Sequence, residues 1–180
     1  VQTADGLICL LTEKIDDAFL AHASHLKIIA NMAVGYDNID TSAAKEKNII
    51  ITNTPDVLTA TTADLTFALL MATARRLVES SNIITENGWG DWSPFWLAGT
   101  DIHDKTIGIV GMGRIGEAVA RRAKGFNMDI LYHNRNRKIE AEQSLDAVYV
   151  SFEELLERAD FVVSLLPLTP ETENTFNERA

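Results

Sequence analysis

Apolar positions along the chain fall into two patterns, short unbroken runs of strand length and longer stretches with helical spacing, and the two alternate. Residues 106–110 are a β-branched run that ends directly in Gly111, and the stretch behind it puts Ile115, Val119 and Ala123 on one helical face. A second run, 129–133, completes a strand, glycine turn, helix and strand across residues 105–138. Upstream, a strand at 4–11, a capped helix at 16–23 and a strand at 27–32 repeat that order. A short helix at 41–47, with Thr41 or Ser42 as its N-cap, leads to a third strand at 48–52. Downstream come a strand at 147–150, a capped helix at 151–158 with Glu153 and Glu154 in its first turn, and a strand at 161–166 closed by Pro167 and Pro170. Strands separated by helices predict parallel sheets whose ligands bind beyond the strand C-termini.

Two stretches fall outside the alternation. Residues 62–76 open on Thr62 as a cap with an early Asp64 and close on Arg75 and Arg76, an arrangement that suits the helix macrodipole at both ends. Leu65, Ala68, Leu69 and Ala72 share one face, while Phe67, Leu70, Met71 and Ala74 make the rest apolar too. That predicts a helix covered on more than one side, a connector packed between two domains. Residues 87–100 are rich in Gly, Pro and Trp, follow no period and read as an extended arm. Trp89, Trp92, Phe95 and Trp96 are too much aromatic surface to stay wet, so the arm is expected to pack on another domain or subunit.

Composition narrows the class. A chain of 180 residues, 46% hydrophobic and 23% charged, suits one domain or a tight pair with a real core. The formal charge of −10, with residues 135–138 as the one basic run, argues against nucleic acid as the main partner. No apolar stretch reaches the ~18 residues of a membrane helix, which predicts a soluble protein with no membrane partner. Cys9 is the single cysteine, so no intramolecular disulfide forms; a reducing, cytoplasmic compartment is expected, and the residue itself reads as a small buried hydrophobe. The chain opens on Val1 in mid-pattern and closes without a terminating signal, which reads as a fragment of a longer protein.

The chemistry begins at the glycines. Gly111, Gly113 and Gly116 have the G-x-G-x-x-G spacing: the first for a tight turn, the second for close approach of a pyrophosphate, the third for close packing of helix on strand. The flanking strand, helix and second strand make this a dinucleotide-binding unit; the alternative is the glycine turn of another α/β enzyme such as a methyltransferase. Residues 33–37 and 53–55 lie past the ends of the upstream strands and are candidate substrate contacts, Val34 and Gly35 through backbone N–H groups, against the plainer reading of a strand-to-helix turn. His22, His25, His103 and His133 lack metal-ligand spacing or a neighbouring nucleophile and are assigned to neither metal nor catalysis.

Five ordered motifs then carry a family resemblance: VGYDNID at 34–40, TPDVLTATTADL at 54–65, WSPFWLAG at 92–99, GMGRIGEAVARR at 111–122 and LLPLTPETE at 165–173. They resemble the D-isomer-specific 2-hydroxyacid dehydrogenases, within which they are most similar to the glyoxylate/hydroxypyruvate reductases. The resemblance implies an α/β fold of two Rossmann-like parallel-sheet domains, flavodoxin-like and NAD(P)-binding, both truncated here, with the active site between them. It implies residues 1–60 as part of the substrate domain, 61–100 as connecting helix and arm, and 101–180 as the first part of the NAD(P)-binding domain. The implied reaction reduces a small 2-oxo acid to the D-2-hydroxy acid in a homodimeric oxidoreductase, with Val34 and Gly35 near the substrate carboxylate. Cofactor contacts are expected at Thr62, at Gly111, Gly113, Arg114, Ile115 and Gly116, and at Leu166, Pro167 and Thr172. The family's catalytic Arg, acidic residue and His are expected beyond residue 180, so no catalytic residue is assigned. A dinucleotide-binding corepressor of the same fold is the competing function.

Cofactor preference is read at the end of the second strand. NAD-specific folds place an acid there to accept from the ribose 2′-OH, whereas this chain has Asn134, followed by Arg135, Arg137 and Lys138. An uncharged Asn134 with cations behind it predicts NADP(H), with NAD(H) also accepted. The alternative is a solvated basic turn.

Overall fold

The computed structural model describes residues 1–178 and 180. The chain divides into two compact units, Val1–Leu58 with Pro167–Thr175, and Thr59–Leu166 with Phe176–Ala180. The first holds β1 (Gly6–Cys9), α1 (Asp17–Ala21), β2 (Ile28–Asn31), α2 (Thr41–Glu46) and β3 (Ile50–Thr52). Its three strands are parallel in the order β1-β2-β3, with Gly6 opposite Ile28 and Ile28 opposite Ile50. Ile15, Leu20, Ile29, Ile39 and Ile49 are among the residues that form the core behind the sheet. The Asp16 carboxylate caps α1 by accepting from Phe19 N. On α2 the expected cap is corrected: Asp40, not Thr41 or Ser42, accepts from the Ser42 and Ala43 N–H groups. Asp40 is the last extended residue, so its carboxylate is the acceptor that reaches the free donors of the first turn.

The second unit begins with α3 (Thr59–Ala74) and α4 (Leu77–Thr85). It continues as β4 (Thr106–Val110), α5 (Arg114–Lys124), β5 (Asp129–His133), α6 (Ile139–Leu145), β6 (Val148–Tyr149), α7 (Phe152–Arg158) and β7 (Phe161–Ser164). All four strands are parallel, in the order β6-β5-β4-β7, so the chain starts in the middle of the sheet and adds strands on both sides. That reversal of direction makes a crevice at the C-terminal ends of β4 and its neighbours. Ile107, Ile109, Val119, Ala123, Ile130 and Tyr132 fill the layer between sheet and helices. Among the described residues no helix is long and apolar enough to cross a membrane.

The long helix departs from expectation in extent, charge and face. α3 starts three residues before Thr62, and neither its first nor its last turn holds a charge that would complement the macrodipole. Asp64 instead accepts from Arg122 of α5, and Arg76 adopts a left-handed conformation (φ 53°) that separates α3 from α4. The buried stripe is Ala63, Phe67, Leu70 and Ala74, whereas Leu65 and Leu69 are each 59% exposed. Both stripes have helical spacing, so an all-apolar helix does not tell from sequence which one faces the core.

Candidate functional site

β4 delivers the chain into the glycine turn at the C-terminal edge of its sheet. Gly111 N donates to His133 O at 3.0 Å and Gly113 N to Gly111 O at 2.9 Å, which ties the turn to the end of β5 and closes it on itself. Gly111 has φ +103°, and a Cβ there would stand 2.9 Å from the Leu165 backbone, so neither conformation nor space admits a side chain. Gly116 is packed just as closely, a Cβ there meeting Gly111 O at 2.5 Å. Gly113 is the opposite: it is exposed, with open space where its Cβ would be, and it caps α5 without a side-chain hydrogen bond. Open space therefore lies over Gly113 at the positive N-terminal end of α5, a cradle fit for a pyrophosphate.

Of the other expected cofactor contacts, Arg114 is exposed and Ile115 half-buried at that helix start. Leu166 lies against the turn, its N–H 3.2 Å from where a Gly111 Cβ would be. Thr62 is half-buried on α3, its carbonyl accepting from Thr66 Oγ1 at 2.8 Å. Pro167 and Thr172 belong to the first unit, where Thr172 Oγ1 donates to Pro167 O at 2.5 Å and organises its own turn.

The four residues after β5 divide by partner. Asn134 Nδ2 donates to Asn136 O at 3.0 Å and fixes the turn. Arg135 and the Lys138 ammonium are exposed and form no ion pair among the described residues. Arg137 is engaged: its Nε and Nη2 donate to the two oxygens of Glu142 at 3.0 and 2.6 Å, and its guanidinium lies 5.7 Å from the Tyr149 ring centroid. Glu142 also accepts from the Tyr132 hydroxyl at 2.6 Å, and that hydroxyl accepts from Lys138 N at 2.8 Å. Arg137, and after it Tyr132, hold the Glu142 carboxyl below the usual glutamate range, while burial, reinforced by Glu142, pushes the Tyr132 phenol up. Neither Glu142 nor Tyr132 stands out in the sequence: one is an acid on a polar helix, the other an apolar position of a strand.

In the first unit the loop after β2 is held from behind. Thr54 N donates to Ala33 O at 2.9 Å, Asn53 Nδ2 to Val34 O at 2.9 Å and Asn31 Nδ2 to Gly35 O at 2.7 Å. No peptide bond among the described residues is cis, so each N–H points opposite to the carbonyl of its own peptide group. The Val34 and Gly35 N–H groups therefore point together away from residues 53 and 54, and neither has a partner among the described residues. Successive outward N–H groups make a concavity suited to an anion. Asn31 is 1% exposed; it was not singled out above, although an amide inside an apolar strand is the signal that marks it. Cys9 donates to its Oδ1 at 3.5 Å, and burial, reinforced by the charge of Glu13, pushes the Cys9 thiol up, so it remains protonated.

The histidines form no catalytic arrangement among the described residues: His133 Nδ1 is 3.0 Å from Val150 O, and His22, His25 and His103 are exposed. No group of three or more His, Cys, Asp and Glu is placed to hold a metal among these residues.

Residues 67–180 match the family model of the D-isomer specific 2-hydroxyacid dehydrogenase NAD binding domain. Glyoxylate reductase of Thermococcus kodakarensis is 52% identical over 99% of this chain and 55% of its own length, and that of Pyrococcus horikoshii 50% identical over 99% and 54%. Among solved structures, D-lactate dehydrogenase of Aquifex aeolicus, complexed with NAD and lactic acid, superposes with a TM-score of 0.91 at 27% identity, covering 99% of this chain and 53% of that one. The chain spans about half the length of the curated relatives it matches.

Proposed function

The chain belongs to the D-isomer specific 2-hydroxyacid dehydrogenases, and on that footing we propose that the whole protein reduces a small 2-oxo acid to the D-2-hydroxy acid by hydride transfer from NADPH, with NADH also accepted. Glyoxylate and hydroxypyruvate are the substrates the reading favours, because the glyoxylate reductases named above are identical to this chain at about half of the aligned positions. One observation carries the proposal: the glycine turn leaves open space over Gly113, at the N-terminus of α5 and the C-terminal edge of a parallel sheet. A bound nicotinamide cofactor supplies the hydride. The residues of this chain bind and orient: the glycine turn takes the pyrophosphate, and the outward Val34 and Gly35 N–H groups take the substrate carboxylate. No histidine of this chain is assigned the proton transfer.

In the same reading, residues 1–60 contribute to the substrate domain, 61–100 are connecting helix and arm, and 101–180 begin the NAD(P)-binding domain. The protein works in the cytoplasm as a homodimer. Preference for NADP(H) is supported by the uncharged Asn134 and by the unpaired Arg135, whose charge-assisted bonds to a 2′-phosphate are worth about 1.5–3 kcal/mol each. Arg135→Ala is expected to weaken NADPH binding about ten- to a hundredfold and to leave NADH nearly unchanged. Calorimetric titration of the whole enzyme with both cofactors checks this, and equal loss for the two removes the assignment.

A further inference from the structure

The cations behind β5 are not equivalent. Among the described residues Arg135 and the Lys138 ammonium form no ion pair, whereas Arg137 is spanned by a carboxylate that is itself fixed. The Glu142 side chain is 17% exposed against 58% for Arg137, and the buried Tyr132 hydroxyl donates to it at 2.6 Å. The same hydroxyl accepts from Lys138 N, so the phenol that holds the carboxylate is itself fixed between the sheet and the loop. Arg137 thus leans on a rigid acid, not the reverse.

Two Arg137 donors, one on Nε and one on Nη2, are consumed by the carboxylate, and the net charge of the pair is zero. A guanidinium neutralised in this way attracts a distant anion weakly. Position matters here, because the residues just past the second strand are where a dinucleotide fold meets the adenosine ribose. We propose that Glu142 is a specificity-determining residue: by spanning Arg137 it withholds that cation from the cofactor's 2′-phosphate, leaving discrimination to Arg135 and Lys138 and keeping NADH an accepted cofactor. The proposal rests on the NADP(H) reading above and names what limits that preference.

Glu142→Gln tests it cleanly, since glutamine keeps the acceptor for Tyr132 and the shape of the side chain while removing the charge. In calorimetric titrations of the whole enzyme with NADPH and with NADH, the variant is expected to raise the ratio of NADPH to NADH affinity by about three- to tenfold. A gain of affinity is not the signature of a damaged fold. Arg137→Gln combined with Glu142→Gln should abolish the gain, because Glu142 acts through Arg137. An unchanged or lower ratio in Glu142→Gln, or a gain that persists in the double variant, overturns the inference. Arg135→Ala measured beside them separates the two claims. Equal loss of both cofactors in that variant defeats the NADP(H) reading alone, whereas a selective loss with no response to Glu142→Gln defeats the role of Glu142 alone.

Discussion

Asn53 and Asn31 do their work by fixing carbonyls. Each donates its amide N–H to a backbone oxygen of the 33–35 loop, and so decides which way the opposite N–H faces. Asn53→Ala leaves Val34 O without its partner, a change that costs about 1–3 kcal/mol for a desolvated acceptor and frees the peptide group to turn. The expected outcome is a rise in KM for glyoxylate or hydroxypyruvate of about five- to a hundredfold, with the calorimetric affinity for NADPH unchanged because the glycine turn lies in the other unit. An equal loss for substrate and cofactor would show that the residue supports the fold and not the loop. At this scale the sequence was legible where a residue type has one use. Gly111 at φ +103° and Gly116 against Gly111 O are demanded by geometry that other residues cannot adopt. The partners of Asn31, Asn53 and Glu142 were not legible, because a hydrogen-bonding side chain names a capacity and only the fold supplies the group it meets.

Elements divide the same way. β4 and β5 were found to the residue, since a β-branched run ending in glycine and a second run after a helix are strong local signals. α4 and α6 were missed: α4 turns most of its apolar residues to the surface and α6 buries only Ala141 and Leu145, so neither is marked by a stripe that packs into the core. The start of α3 was misplaced because the Asp64 charge serves a tertiary contact. Arg122 donates through Nε to Asp64 at 2.7 Å, through Nη2 to Ala60 O at 3.2 Å and through Nη1 to Ala118 O at 2.7 Å. It thereby joins α5, which carries the glycine turn, to the first turns of α3. The ion pair alone is worth little, as Asp64 is largely exposed, but two backbone carbonyls lose a donor with it. Arg122→Ala is expected to lower stability by about 1–2 kcal/mol in urea titrations. Arg122→Lys should recover only part of this, since an ammonium cannot hold three acceptors in the plane of a fork.

For the whole molecule, the informative surface is the apolar one. Leu65 and Leu69 on α3, Val78 and Ile84 on α4, and Trp92 and Phe95 on the arm are all exposed, Trp92 at 78% and Phe95 at 87%, and all belong to the second unit. Trp89 and Trp96 pack edge to face at 4.8 Å, which covers part of the arm but leaves its tip open. So much large apolar side chain is the surface on which the homodimer proposal is tested. A second copy is the partner that the homodimer proposal names, and a twofold axis would bury each residue twice. At about 1.5–3 kcal/mol for a buried leucine, the two copies of Leu69 contribute about 3–6 kcal/mol to such an interface. Leu69→Asp should therefore raise the dimer dissociation constant by at least about a hundredfold. It should leave the fold of each subunit intact, because the position is solvent-facing within its own chain. Light scattering at micromolar concentration is expected to give a dimer mass for the natural protein and a monomer mass for the variant, with unchanged circular dichroism. A monomeric natural protein would remove the homodimer, and a variant that stays dimeric would move the interface off α3.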